Sequence, residues 1–271
     1  MERVEADKIE TLRAQEGRVH SIETMGTVDG PGTRLVAFLQ GCPMRCAYCH
    51  NPDSWDVSAG RVATAGEVLD LFERNRPFYR RGGITLSGGE PMLQPDFAAA
   101  VFALAHAAPA GRIHTCLDTS GIAFSPASPE RHAALLDECD LVLLDVKHAD
   151  KDGHRALTGM DCENPRALGD ELARRNVPVV VRHVVVPGIT DDSAELAALG
   201  RLIARWDNVV GLDLLPYHTM GVEKYRALGL DYPLEGVAPQ DKAVIPALRR
   251  VVLEARARAR HHRADAAPES D

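Results

Sequence analysis

Three cysteines in the run Gly41-Cys42-Pro43-Met44-Arg45-Cys46-Ala47-Tyr48-Cys49-His50 constrain this chain more than any other stretch. The spacing C-x3-C-x2-C puts three thiolates within reach of one metal centre. A structural zinc site wants four ligands and commonly draws them as two separated pairs. Here the fourth cysteine is missing locally. A cubane iron–sulfur cluster held by three thiolates keeps one iron without a protein ligand. An open position on a metal is where a substrate or cofactor binds, so the triad reads as a cluster built for chemistry. Zinc with His50 as fourth ligand is one alternative, and three unrelated buried thiols are another. A two-cluster ferredoxin would repeat its cysteine run, and no second run is present. Tyr48, beside the last cysteine, either shields a cluster from water or belongs to the core.

The length of 271 residues allows one large domain or two small ones, and 45% hydrophobic residues suffice for a core. A net charge of −8 argues against a nucleic-acid or anionic-membrane partner, which would need a basic face. No apolar run approaches the roughly 20 residues of a membrane span. Residues 1–17 are charged, lack the apolar centre of a signal peptide and read as a flexible, solvated leader. The expected location is cytoplasmic. Cys116, Cys139 and Cys162 stand far apart and read as reduced, mostly buried thiols.

Hydrophobic periodicity predicts strands at 19–24, 34–40, 83–86, 112–117, 141–146, 179–186 and 209–215. Helices are predicted at 64–75, 96–107, 129–138, 167–176, 193–206 and 242–258. Thr64 with Glu67 forms a capping box for the first of these, and Asn176 ends another. The segment Thr27 to Thr33 is turn-like, since Asp29-Gly30-Pro31-Gly32 excludes regular structure. Six strands from 34–40 onward alternate with helices, which is the pattern of βα units on a parallel sheet. Cys42, Ser87, Asp118, Asp145, Pro187 and Pro216 each follow a strand, where a β/α barrel builds its active site. The fold class expected is α/β, a single-domain incomplete (β/α)6 barrel over residues 18–258, with 259–271 as a flexible tail. A doubly wound sheet is the runner-up. The basic stretch Ala255 to His262 reads as a solvated helix end that suits the macrodipole.

The triad with an aromatic before its last cysteine resembles the signature of the radical S-adenosylmethionine superfamily. Gly26 to Gly32, Gln40-Gly41-Cys42 and Tyr48-Cys49-His50-Asn51 resemble the activating enzymes of glycyl radical enzymes. Ser87-Gly88-Gly89-Glu90, His114 to Thr119, Asp145-Val146-Lys147, Val184 to Gly188 and Leu215 to Gly221 narrow the resemblance to those that act on pyruvate formate-lyase. It runs from about Gly17 to about Arg256. The short, cysteine-free segment between Cys49 and Ser87 excludes the ferredoxin-like insert that some of these enzymes carry. The partial barrel is also what the resemblance implies.

The resemblance implies that Cys42, Cys46 and Cys49 hold a 4Fe–4S cluster and that S-adenosylmethionine binds at the open iron. It implies that the backbone of Gly88 and Gly89 meets the amino group of the methionine moiety, with Glu90 as a supporting polar group. Read without it, the Gly-Gly pair is an ordinary tight turn. It implies a monovalent-cation site (K+ or Na+) at Asp118, Thr119, the backbone of Leu143, and Asp145. Without it, Asp118 is a helix cap and Asp145 a salt-bridge partner. Tyr48, Cys49, His50, Asp145, Val146, Lys147, Arg182 and His218 are implied neighbours of the cofactor. Arg182, in a strand of valines, needs an anionic partner if it faces inward, and the uniform run leaves its direction open. Trp55 and the stretch Tyr217 to Tyr225 read either as rim elements for a partner protein or as loop packing.

The function implied is activation of a glycyl radical enzyme, pyruvate formate-lyase, with a flavodoxin or ferredoxin as reductant. A reduced cluster cleaves S-adenosylmethionine, and a 5′-deoxyadenosyl radical takes hydrogen from a glycine Cα. No acid–base pair is needed, and none is evident in the sequence. Two rivals are a radical enzyme acting on a small molecule and a metal-binding scaffold without turnover. The matches after Pro216 count against the first, and the Gly-Gly-Glu motif with the open cluster position counts against the second.

Overall fold

The computed structural model describes residues 2–265. Eight strands form one sheet in the order β3-β1-β2-β4-β5-β6-β7-β8. They are β1 (Glu16–Gly26), β2 (Arg34–Leu39), β3 (Arg61–Thr64), β4 (Gly83–Gly88), β5 (His114–Thr119), β6 (Leu141–Asp145), β7 (Val179–Val185) and β8 (Val209–Pro216). The helices are α1 (Glu2–Ala14), α2 (Ala65–Asn75), α3 (Pro95–His106), α4 (Ala133–Asp137), α5 (Lys151–Thr158), α6 (Glu163–Arg175), α7 (Ser193–Ile203), α8 (Val222–Ala227) and α9 (Ile245–Asp265). From β2 to β8 the strands pair in parallel and in chain order. The doubly wound runner-up would reverse its strand order midway, and no reversal occurs. β1 and β3 add antiparallel strands beside β2. The sheet ends at β3 and β8 without closing, which gives the open six-unit barrel expected, extended by two strands.

Alternation along β7 separates the two faces of the sheet. Val179, Val181, His183 and Val185 are buried, and Val180, Arg182 and Val184 are half-buried. The buried valines join the main core with residues of α3, α6 and α7, so the half-buried face is the lumen. Thr64 caps α2 by accepting from the Glu67 N–H, as the capping box predicts. Asn176, at φ 55°, ends α6.

Several elements depart from the sequence reading. Residues 2–14 form α1 where a solvated leader was expected. Ile9 and Leu12 pack on the main core, and Arg13 bonds Asp70 of α2. Charged residues on its other faces hide this narrow apolar stripe from a periodicity count. The expected helix at 129–138 is a 3-10 turn, Pro129–His132, followed by the short α4. β3, α5 and α8 were not foreseen. α5 is mostly polar and is fixed by its ends, an Asp150 cap and Gly159 at φ 76°. α9 continues to Asp265, so residues 259–265 of the expected tail are helical, and residues 266–271 lie outside the described residues.

Candidate functional site

β2 leads into the cysteine loop, and the loop is held from several sides. The Gly41 N–H donates to the Ser54 carbonyl (2.8 Å), and the Cys42 N–H to that of Trp55 (3.2 Å). Arg45 and Ala47 donate to the carbonyls of Thr158 and Leu157 at the end of α5 (2.9 Å each). Tyr48 lies in a small core of its own with Leu157, Val186, Tyr217 and Leu234. All three cysteines are free and half-buried. Burial pushes the Cys42 thiol up to about 12 and the Cys46 thiol up to about 11. Thiols in such a site give up their protons when a metal centre takes them as ligands. Among the described residues no three His, Cys, Asp or Glu side chains converge to hold one ion. A cubane bonds each thiolate to a different iron, and the three thiols lie in one loop.

The turn after β4 lies against this loop. The Gly89 N–H donates to the Leu39 carbonyl (2.9 Å) and the Glu90 N–H to that of Gly41 (2.8 Å). Gly88 sits at φ 116°, a conformation that side-chain-bearing residues avoid. A Cβ on Gly89 would come within 2.2 Å of the Gly41 carbonyl oxygen and 3.2 Å of the Cys42 Cβ. Bare backbone is therefore required where this turn packs against the cysteine loop. The Glu90 side chain is fully buried and points the other way, toward the end of β5.

A column of charge crosses the lumen. Arg182 faces inward, with Nη1 3.2 Å from Asp118 Oδ2 and 3.8 Å from Asp29 Oδ1. The Ser87 hydroxyl donates to the same Asp118 oxygen (2.7 Å). Asp118 Oδ1 is buried and has no hydrogen-bond partner. Burial raises the Asp118 carboxyl to about 6 against the pull of Arg182, and the neighbouring Asp145 adds to the rise. Lys147 Nζ bonds Asp145 Oδ2 at 2.6 Å and lies 5.7 Å from the centre of the Tyr48 ring. Burial alone would lower the Lys147 pKa, but Asp145 together with the neighbouring Tyr48 and Cys46 outweighs it and the ammonium stays charged. An unpaired carboxylate oxygen in a buried, polar pocket is what a hard cation would satisfy. Leu143 lies on β6 opposite Asp118 in the register. The Thr119 hydroxyl donates to Glu90 and accepts from the Gly121 N–H, so it is already engaged.

His50 and His218 stack with ring centres 4.0 Å apart, joining the cysteine loop to the segment after β8. Burial, and then its neighbour His218, push the His50 imidazole down to about 4. Val146 is the expected site residue with the least to offer. Its N–H goes to the Arg182 carbonyl, its own carbonyl meets His183 Nδ1, and its side chain joins the main core. Tyr225 is not a rim residue either. It is 1% exposed and stands edge-on to both Trp55 and Tyr232, so it packs behind the cysteine loop. Trp55 is half-buried, with the Arg45 guanidinium 4.5 Å over its ring. Sequence reasoning also left Asp29 without a role in the site. Its loop was legible, but its return into the lumen depends on the tertiary fold. Lys224 of α8 likewise reaches Asn51 Oδ1 (2.8 Å) and Asp53 (3.1 Å), and no local signal marks it.

Residues 36–199 match the family model of the Radical SAM superfamily. The chain is 43% identical over 243 residues to the pyruvate formate-lyase-activating enzyme of Clostridium pasteurianum, covering 88% of this chain and 98% of that one. It is 44% identical over 241 residues to the enzyme of the same name from Staphylococcus aureus, covering 87% and 95%. Among solved structures, Streptococcus suis SuiB bound to precursor peptide SuiA matches with a TM-score of 0.60 at 13% identity, over 93% of this chain and 49% of that one. A radical SAM methyltransferase from Sphaerobacter thermophilus matches at 0.57 and 17%, over 82% and 64%. At these identities the two structures speak for the fold alone. Sequence motif, open barrel and full-length similarity agree, and the chain belongs to the radical SAM superfamily and, within it, to the family of pyruvate formate-lyase-activating enzymes.

Proposed function

We propose that this protein activates pyruvate formate-lyase by generating a glycyl radical on it. The observation that carries the proposal is similarity at 42–44% identity along nearly the whole length of proteins bearing that activity in their name. The family implies a 4Fe–4S cluster and S-adenosylmethionine, and the cysteine loop and glycine cradle fit them. The chemistry such a pair supplies is one-electron cleavage of S-adenosylmethionine, giving a 5′-deoxyadenosyl radical that removes hydrogen from a glycine Cα of the partner.

The chain's own part is to bind, orient and exclude water. Cys42, Cys46 and Cys49 would hold the cluster, and Tyr48 packs in the small core behind their loop. The backbone at Gly88 and Gly89 receives the methionine amino group. Asp118, Thr119, the backbone of Leu143, and Asp145 would hold a monovalent cation, K+ or Na+, near the methionine carboxylate. The unpaired Asp118 Oδ1 supports this reading. Lys147, Arg182, His50 and His218 line the remaining cofactor surface. The reductant is a flavodoxin or ferredoxin, and the reaction is placed in the cytoplasm. Six free cysteines suit a reducing compartment, and among the described residues no helix is long and apolar enough to cross a membrane.

The test is anaerobic. Reduced, iron-loaded protein is mixed with S-adenosylmethionine and pyruvate formate-lyase, and the mixture is examined by electron paramagnetic resonance. A glycyl radical on the partner is expected. S-adenosylmethionine cleavage without that radical would move the substrate to another protein or to a small molecule.

A further inference from the structure

Glu90 is the most completely bonded carboxylate around the site. Its Oε1 accepts from the Met92 N–H (3.0 Å) and the Thr119 hydroxyl (2.5 Å). Its Oε2 accepts from the Ser120 N–H (3.1 Å) and the Ser120 hydroxyl (2.6 Å). Meanwhile its own N–H is tied to Gly41, next to Cys42. One residue thus links three segments: the cysteine loop, the Gly88-Gly89 turn after β4, and the end of β5 that carries Asp118 and Thr119.

We infer that Glu90 is a positioning residue, a strut that sets the spacing between the Gly88-Gly89 cradle and the Asp118 end of the site without touching the cofactor. The inference rests on the functional reading above. A carboxylate is required because each oxygen receives one backbone N–H, from Met92 or from Ser120. A carboxamide has one accepting oxygen and an NH2 that only donates. Either orientation of a glutamine would turn that NH2 against a fixed backbone N–H in a dry site, where an unmatched polar group is costly. The near-isosteric change Glu90→Gln therefore breaks the strut while keeping its volume. The misfit falls at the methionine end of the site, where the amino and carboxyl groups are held. Glu90 makes no bond to Lys147, Arg182, His50 or His218, which are assigned to the rest of the cofactor surface.

The experiment measures equilibrium binding to the anaerobic, iron-loaded protein with two probes. S-adenosylmethionine carries both amino acid groups, and 5′-methylthioadenosine lacks them. For Glu90→Gln the affinity for S-adenosylmethionine should fall at least about tenfold. Affinity for methylthioadenosine should stay within about twofold, and iron per chain should match the wild type. Equal losses for both probes would make Glu90 a general packing residue, and unchanged S-adenosylmethionine affinity would also overturn the inference. If Glu90→Gln takes up no iron, Ser120→Ala decides. It removes one hydroxyl donor to Glu90, and with it the acceptor of the Ile122 N–H (3.3 Å), but leaves both backbone bonds to Glu90, and it should show the same split in smaller degree; no split there overturns the strut. A wild-type protein that fails to bind S-adenosylmethionine would instead sink the functional reading.

Discussion

Serine in place of Cys42, Cys46 or Cys49 should remove the bound iron, whereas the same change at Cys116, Cys139 or Cys162 should leave iron per chain unchanged. The first three share one loop under the Gly88-Gly89 turn. Cys116 packs with Leu141 and Leu143 in the lumen, and Cys139 donates its S–H to the Leu135 carbonyl (3.2 Å). Cys162 is buried at the start of α6. Iron loss from any of these three variants on colorimetric assay would break the assignment. At this scale the sequence was informative because thiol spacing and Gly-Gly pairs are local. The direction of Arg182 was not local. Only the pairing of β6 with β7, Asp145 opposite Arg182, puts it on the face shared with Asp118.

Among the elements, the parallel strands were legible because runs of β-branched and apolar residues recur between helices. The short ones were not. β3 has four residues and α8 has six, and each is held by what it packs against rather than by its own pattern. The end of the barrel away from the cysteines shows how strand starts are fixed. Asp140, just before β6, accepts from the Thr115 N–H of β5 (2.9 Å) and from Arg112 (2.9 Å to Nη1), and its own N–H donates to the Thr115 hydroxyl (3.1 Å). Burial alone would raise this carboxyl, but Arg112 and the Thr115 N–H hold it down at about 2. A depressed carboxyl stabilises the fold fully above its ordinary value near 3.9 and loses that effect as pH falls through about 2. Asp140→Ala should therefore cost about 1–2 kcal/mol at pH 7, with Arg112 half exposed and screened. The gap from wild type should narrow from about pH 5 down toward 2. Denaturant unfolding at several pH values reads this, and a gap that stays constant down to pH 2 would contradict it.

In the whole molecule, the sheet leaves its two edges apart, and the chain after β8 returns to cover the cysteine loop. Leu234 and Tyr217 support Tyr48 from one side. Lys224 and the stacked His218 tie the cover to Asn51, Asp53 and His50. None of these ties could be read from order along the chain, since they join segments from opposite ends of the fold. They explain why Tyr225, expected at a rim, is buried: it is part of this cover. Leu234→Ser would place a hydroxyl in that small core at a typical cost of about 2–4 kcal/mol. Iron should be lost to a chelator several-fold faster than from the wild type, with the helical circular-dichroism signal retained. Chelation at the wild-type rate would mean that the cover does not hold the loop.

The same arrangement bears on how the protein is made. A ribosome delivers the three thiols early and the residues that brace them late, since Tyr48 rests on Leu157, Tyr217 and Leu234. A nascent chain that has just exposed Cys42, Cys46 and Cys49 carries all three thiols before the residues that Tyr48 packs on exist. Iron offered at that stage would meet a mobile trio of thiols, open to oxidation and to the wrong metal. The core under the cysteine loop is therefore complete only once the chain has been made as far as Leu234.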